Sequence, residues 1–81
     1  MTLTKGQMSR FQELAGTMKK RGFQEPRAEV LPGKAGAVVL LLSGMKGGRK
    51  LEASMEVATP ELFAVALVQL QSMVKAQRRA S

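Results

Sequence analysis

The stretch Ala37-Val-Val-Leu-Leu-Leu-Ser-Gly-Met-Lys-Gly-Gly-Arg-Lys-Leu-Glu-Ala-Ser-Met-Glu-Val-Ala58 decides the fold. Its first part, Ala37 to Ser43, is an apolar, β-rich run of strand length. Its last part, Arg49 to Ala58, alternates: Leu51, Ala53, Met55 and Val57 fall on one side, and Lys50, Glu52, Ser54 and Glu56 on the other. A period of two with that polarity is a strand with one face in a core and one in water. Between the runs, Gly44-Met-Lys-Gly-Gly48 is a turn signal, so a hairpin joined by a five-residue glycine-rich loop is expected.

Upstream, Arg27 to Leu31 lies between Pro26 and Pro32, with Ala28 and Val30 on one side and Arg27, Glu29 and Leu31 on the other. Proline is confined to sheet edges, so this segment reads as an edge strand, followed by the loop Pro32-Gly-Lys-Ala-Gly36. Before it, Met8, Phe11, Leu14, Ala15 and Met18 recur at helical spacing, which predicts a helix over Thr4 to Arg21. Thr4 with Gln7, or Ser9 with Gln12, has capping-box spacing, and Gly22 stands where a left-handed cap belongs. Gly6 and Gly16 weaken this helix, its first turn above all.

Downstream, Thr59-Pro60-Glu61 supplies an N-cap, a first-turn proline and an acid, opening a helix to about Arg79. Its broad apolar face comprises Leu62, Phe63, Ala66, Leu67, Leu70, Met73 and Val74. The expected architecture is α+β: a single domain over residues 1–81 in the order α-β-β-β-α, with two helices on one face of a three-stranded antiparallel sheet.

That arrangement leaves apolar residues over. Val65 and Val68 fall away from the core face of the last helix, and Val39 and Leu41 point opposite to Val38, Leu40 and Leu42. A contiguous group of this kind marks a protein interface, and a symmetric homodimer is the commonest way to cover one.

With 44% apolar residues the chain has the composition of a folded domain, and at 81 residues it has room for one core. It contains no Cys, His, Tyr or Trp, which excludes disulfides, thiolate metal sites and histidine-based catalysis. Glu52 and Glu56 share a strand face but stand about 13 Å apart, too far to share a proton. No cluster of oxygen ligands suggests a metal, so no cofactor, small-molecule substrate or enzymatic activity is expected. Neither glycine-rich stretch has the Gly-Lys-Ser/Thr end that opens a helix in a nucleotide-binding loop; both join strands. The longest apolar run is too short to span a bilayer, and Met1 to Gly22 lacks a continuous apolar stretch, so the expectation is a soluble, cytoplasmic protein.

The formal charge is +7, from 13 Lys and Arg against 6 acids, enough to steer an anionic partner on a domain this small. Cations gather at Lys19-Lys20-Arg21, at Lys34, at Lys46, Arg49 and Lys50, and at Lys75, Arg78 and Arg79. Those in the last turns of helices double as dipole partners, whereas the hairpin-tip group has no such explanation. Phe11 and Phe63 fall on core faces, so a base-stacking platform is not expected and contacts to a nucleic-acid backbone fit better.

The order helix, strand, hairpin, helix resembles the double-stranded RNA-binding domain over Thr4 to Arg79, with echoes in Lys20-Arg21-Gly22, in the Pro32-Gly33 loop and in the alanine-containing last helix. The resemblance implies duplex contacts from Gln7, Arg10 and Glu13 on the first helix and from Lys34 in the loop. It departs from the family at the start of the last helix, where Thr59-Pro60-Glu61-Leu62 replaces a lysine cluster.

Two functions follow as expectations. The first is nucleic-acid binding, to duplex RNA or DNA, through Lys19, Lys20, Arg21, Lys34, Lys46, Arg49 and Lys50. The second is a protein–protein module, such as a phage-encoded inhibitor or assembly factor, docking on an acidic partner through Val39, Leu41 and the basic loops, with Val65 and Val68 as further interface residues. A membrane-surface role ranks below both, because the last helix is basic only at its tip.

Overall fold

In a computed structural model, which describes residues 2–76, the hairpin pairs β2 (Val38–Lys46) with β3 (Arg49–Val57) antiparallel from Val38↔Val57 to Lys46↔Arg49. Its loop is the two residues Gly47 and Gly48, at φ 58° and 80°, rather than the expected five. Positive φ at both central residues gives a tight turn whose twist matches the strands, so β2 runs on through Gly44 and Met45. Gly44 is there for a different reason. A Cβ at this position would lie 2.6 Å from Met18 Cε and 3.3 Å from the Phe23 ring, so the missing side chain lets them approach the sheet.

The first strand, β1 (Gln24–Pro32), pairs antiparallel with β2 and gives the sheet order β1-β2-β3. It is longer than Arg27 to Leu31 because both prolines are absorbed. Pro26 sits in a bulge between Gln24 and Arg27, beside Glu25 at φ 51°, and Pro32 closes the strand. Both positions suit a residue without an N–H on an edge strand. Between Pro32 and Val38 the chain makes one 3₁₀ turn, Lys34–Gly36.

Helix α1 (Lys5–Lys20) starts at Thr4, not Ser9. Gln7 N donates to Thr4 Oγ1 at 3.1 Å, and Thr4 N donates to Gln7 Oε1 at 2.9 Å, which offsets the weakness that Gly6 brings to the first turn. At the other end Gly22 takes φ 95°, its N–H donates to Lys19 O, and Phe23 N donates to Met18 O at 3.0 Å. That is a Schellman cap, completed by the buried side chains of Phe23 and Met18. Helix α2 (Pro60–Ala76) is capped by Thr59, whose Oγ1 accepts from Leu62 N at 3.2 Å. The expected continuation to Arg79 lies outside the described residues.

Both helices cover the same face of the sheet. Phe11, Leu14, Met18, Phe63, Ala66, Leu70 and Val74 join Ala28, Leu40, Leu42, Leu51, Ala53 and Val57 in one buried cluster. Gln12 Nε2 donates to Ala28 O at 3.0 Å and ties α1 to β1.

Three residues assigned to apolar stripes are exposed instead: Met8 (37%), Leu62 (48%) and Met73 (39%). The sheet is three strands wide and α2 lies over the edge strand β3, so the outer flank of its stripe has little beneath it. At the start of α1, Leu3 packs against the core and Met8 stays at the margin. No described helix is long and apolar enough to cross a membrane.

Candidate functional site: a basic pole

The β-register fixes which loops share an end of the domain. Lys46↔Arg49 and Gln24↔Met45 put the hairpin tip beside the start of β1, where α1 has just ended. The cap at Gly22 brings α1 close to the tip: a Cβ on Gly22 would stand 4.0 Å from Lys46 Cε. Lys46 bends over the buried Phe23 ring, with its ammonium 5.5 Å from the ring centre, a cation–π arrangement that helps to hold the side chain in place. Lys19, Lys20 and Arg21 therefore face the same end as Lys46, Arg49 and Lys50.

Helix α2 points the same way. It leaves the far end of β3 and returns, and Gln71, Val74 and Lys75 line a shallow groove with Leu14 and Thr17 of α1. The C-terminal ends of both helices and the hairpin tip thus form one pole bearing Lys19, Lys20, Arg21, Lys46, Arg49, Lys50 and Lys75. Among the described residues its carboxylates are Glu25, in a groove with Lys50, and Glu52, 3.5 Å from Lys50 Nζ. The helix dipoles present their negative ends here, which favours cations in those last turns. Arg78 and Arg79 lie outside the described residues.

Lys34 is not part of this pole. Its turn follows Pro32↔Val38 at the opposite end of the sheet, about 27 Å away along β2. There its backbone N–H reaches Glu56 Oε2 at 3.4 Å. Of the other positions implied by the RNA-binding resemblance, Gln7 spends its side-chain oxygen on the α1 cap, while Arg10 and Glu13 are exposed and opposite in charge. The surface that would meet a duplex in that family combines Lys5 and Lys34 with Glu56 and Glu61 and is close to neutral.

The proposed interface residues also separate. Val39 and Leu41, both half-buried, lie on the sheet face away from the helices, with Leu31 (41% exposed) and Met45 (36%) on the same side. That face carries Arg27 and Glu29, 3.9 Å apart, together with Lys50, Glu52 and Glu56. Val65 (52% exposed) and Val68 (60%) are on α2, across the sheet from them. Val65 lines an open groove beside β3 with Met55, Glu56, Leu62, Ala66 and Gln69.

Phe23 is the aromatic that the sequence reading left unplaced. It is buried, as are Phe11 and Phe63, and the available signal is its place directly after the Gly22 cap, five residues on from the apolar Met18. Among the described residues no three His, Cys, Asp or Glu side chains group as metal ligands.

Fold and site together define a small α-β-β-β-α domain with one strongly cationic end. No family model matches the chain, and neither does any curated protein or solved structure.

Proposed function

We propose that this chain is a non-catalytic, cytoplasmic protein that binds the backbone of duplex nucleic acid, RNA or DNA, through the basic pole. The observation that carries the reading is the convergence of Lys19, Lys20 and Arg21 with Lys46, Arg49 and Lys50, two groups separated by the whole of β1 and β2 in sequence. Exposed Lys and Arg side chains beside the free backbone groups of a tight turn suit phosphate oxygens. With all three phenylalanines buried, the reading rests on charge and shape rather than on stacking.

The test is equilibrium binding to a short duplex across a salt series. Replacing several phosphate-bound counterions makes affinity fall by roughly three orders of magnitude between 50 and 200 mM salt. A flat salt response, or no binding at low salt, would remove this reading. Neutral protein contacts through the open sheet face are the second reading, favoured by the exposure of Leu31 and Met45. That face sets Arg27 and Lys50 against Glu29, Glu52 and Glu56, a near balance that gives an acidic partner little attraction there.

A further inference from the structure

The two edges of the sheet are built differently. The β1 edge carries Pro26, Pro32 and a bulge, the usual means of blocking strand addition. The β3 edge carries none of them: it runs nine residues from Arg49 to Val57, and its register with β2 shows no shift. Along it lies the apolar flank of α2, with Leu62 and Val65 exposed and Met55 half-buried beneath. A long, regular edge with unpaired backbone groups and an apolar ledge is a surface for another strand.

We infer that this edge is where a second copy of the chain docks, β3 pairing antiparallel with β3 of its partner about a two-fold axis at Ala53. This register is the one that overlaps the whole strand. It sets Lys50 opposite Glu56 twice, Leu51 opposite Met55 twice, Glu52 opposite Ser54 twice, and Ala53 opposite itself. Like charges never meet. Sliding by one step in either direction faces Glu52 with Glu52, or Glu52 with Glu56, and both are unfavourable cross-strand pairs. The result is a continuous six-stranded sheet in which the exposed flanks of the two α2 helices meet over the seam. The basic poles then lie at opposite ends of the dimer, and the inference stands whether or not they bind nucleic acid.

The test uses the full chain without nucleic acid, measuring mass by sedimentation up to ~1 mM, the range of weak association. Wild type should dimerise. Lys50→Glu and Glu56→Lys should each weaken self-association by roughly tenfold, since each turns two attractive pairs into repulsive ones. Mixed together, the two variants should dimerise again, because Lys50 of one then meets Glu56 of the other and the reversed pair is also complementary. Val65→Glu, on an exposed position that leaves the fold intact by circular dichroism, should abolish the dimer. A wild type monomeric throughout, or a dimer indifferent to Val65→Glu and to the charge reversals, overturns the proposal. So does a mixture that stays as weak as its components.

Discussion

The hairpin-tip end and the β1–β2 loop end of the domain are built from similar parts, but the first is strongly cationic and the second close to neutral. Each end has a connection between strands and a pair of helix termini, yet one holds a crowd of cations and the other balances Lys34 and Lys5 against Glu56 and Glu61. The difference follows from direction. Both helices run toward the hairpin tip, so their C-termini, where lysine and arginine are favoured, add to cations already present on the tip. Their N-termini, where Glu61 is favoured, lie at the loop end. A domain that resembles a duplex-RNA binder in topology thus carries its charge at the pole opposite to that family's contact surface.

The comparison breaks most sharply on removal of the tip cations. Lys46→Ala, Arg49→Ala and Lys50→Ala together should lower duplex affinity by roughly two orders of magnitude near 100 mM salt and reduce the salt slope by about three, read from a binding isotherm at each salt concentration.

Next in size is the junction that holds α1 against the tip. Gly44→Val should destabilise the fold by about 1–3 kcal/mol, because the added atoms meet Met18 and Phe23 in a filled core; chemical denaturation measures it. Thr4→Ala, at the loop end, removes only the acceptor for Gln7 N and should lower stability by about 1 kcal/mol in the same assay. Smallest is Lys34→Ala, which should leave duplex affinity within about twofold of wild type, since its phosphate contact is absent in this account.

Much of the fold is legible along the chain because local signals agree with the tertiary outcome. The Thr4–Gln7 box, the Gly22 cap, the Thr59-Pro60 start and the alternation of Leu51, Ala53, Met55 and Val57 all point to what forms. The failures are physical. Gly44 resembles a turn residue, but its role is set by Met18 and Phe23, distant in sequence. Leu62 and Met73 match the helical period, yet the width of the sheet beneath α2 decides their burial.

The site was readable as separate clusters and not as a surface. Lys34 looked equivalent to Lys46 because a strand's length along β2, which separates them, cannot be judged from charge pattern alone. Lys19, Lys20 and Arg21 read both as dipole partners and as backbone contacts, and it takes the register to bring them beside the tip. The edge of β3 carries no local signal at all; it is exposed because the sheet stops there.

The central claim is that the tip pole, and not the loop end, meets nucleic acid, and amide chemical-shift mapping with a short duplex tests it directly. The shifts should concentrate at Lys19 to Gly22 and Met45 to Lys50 and leave Pro32 to Gly36 and Thr59 to Leu62 unchanged. Shifts centred on Lys34 and the start of α2, with the hairpin tip silent, would contradict the account.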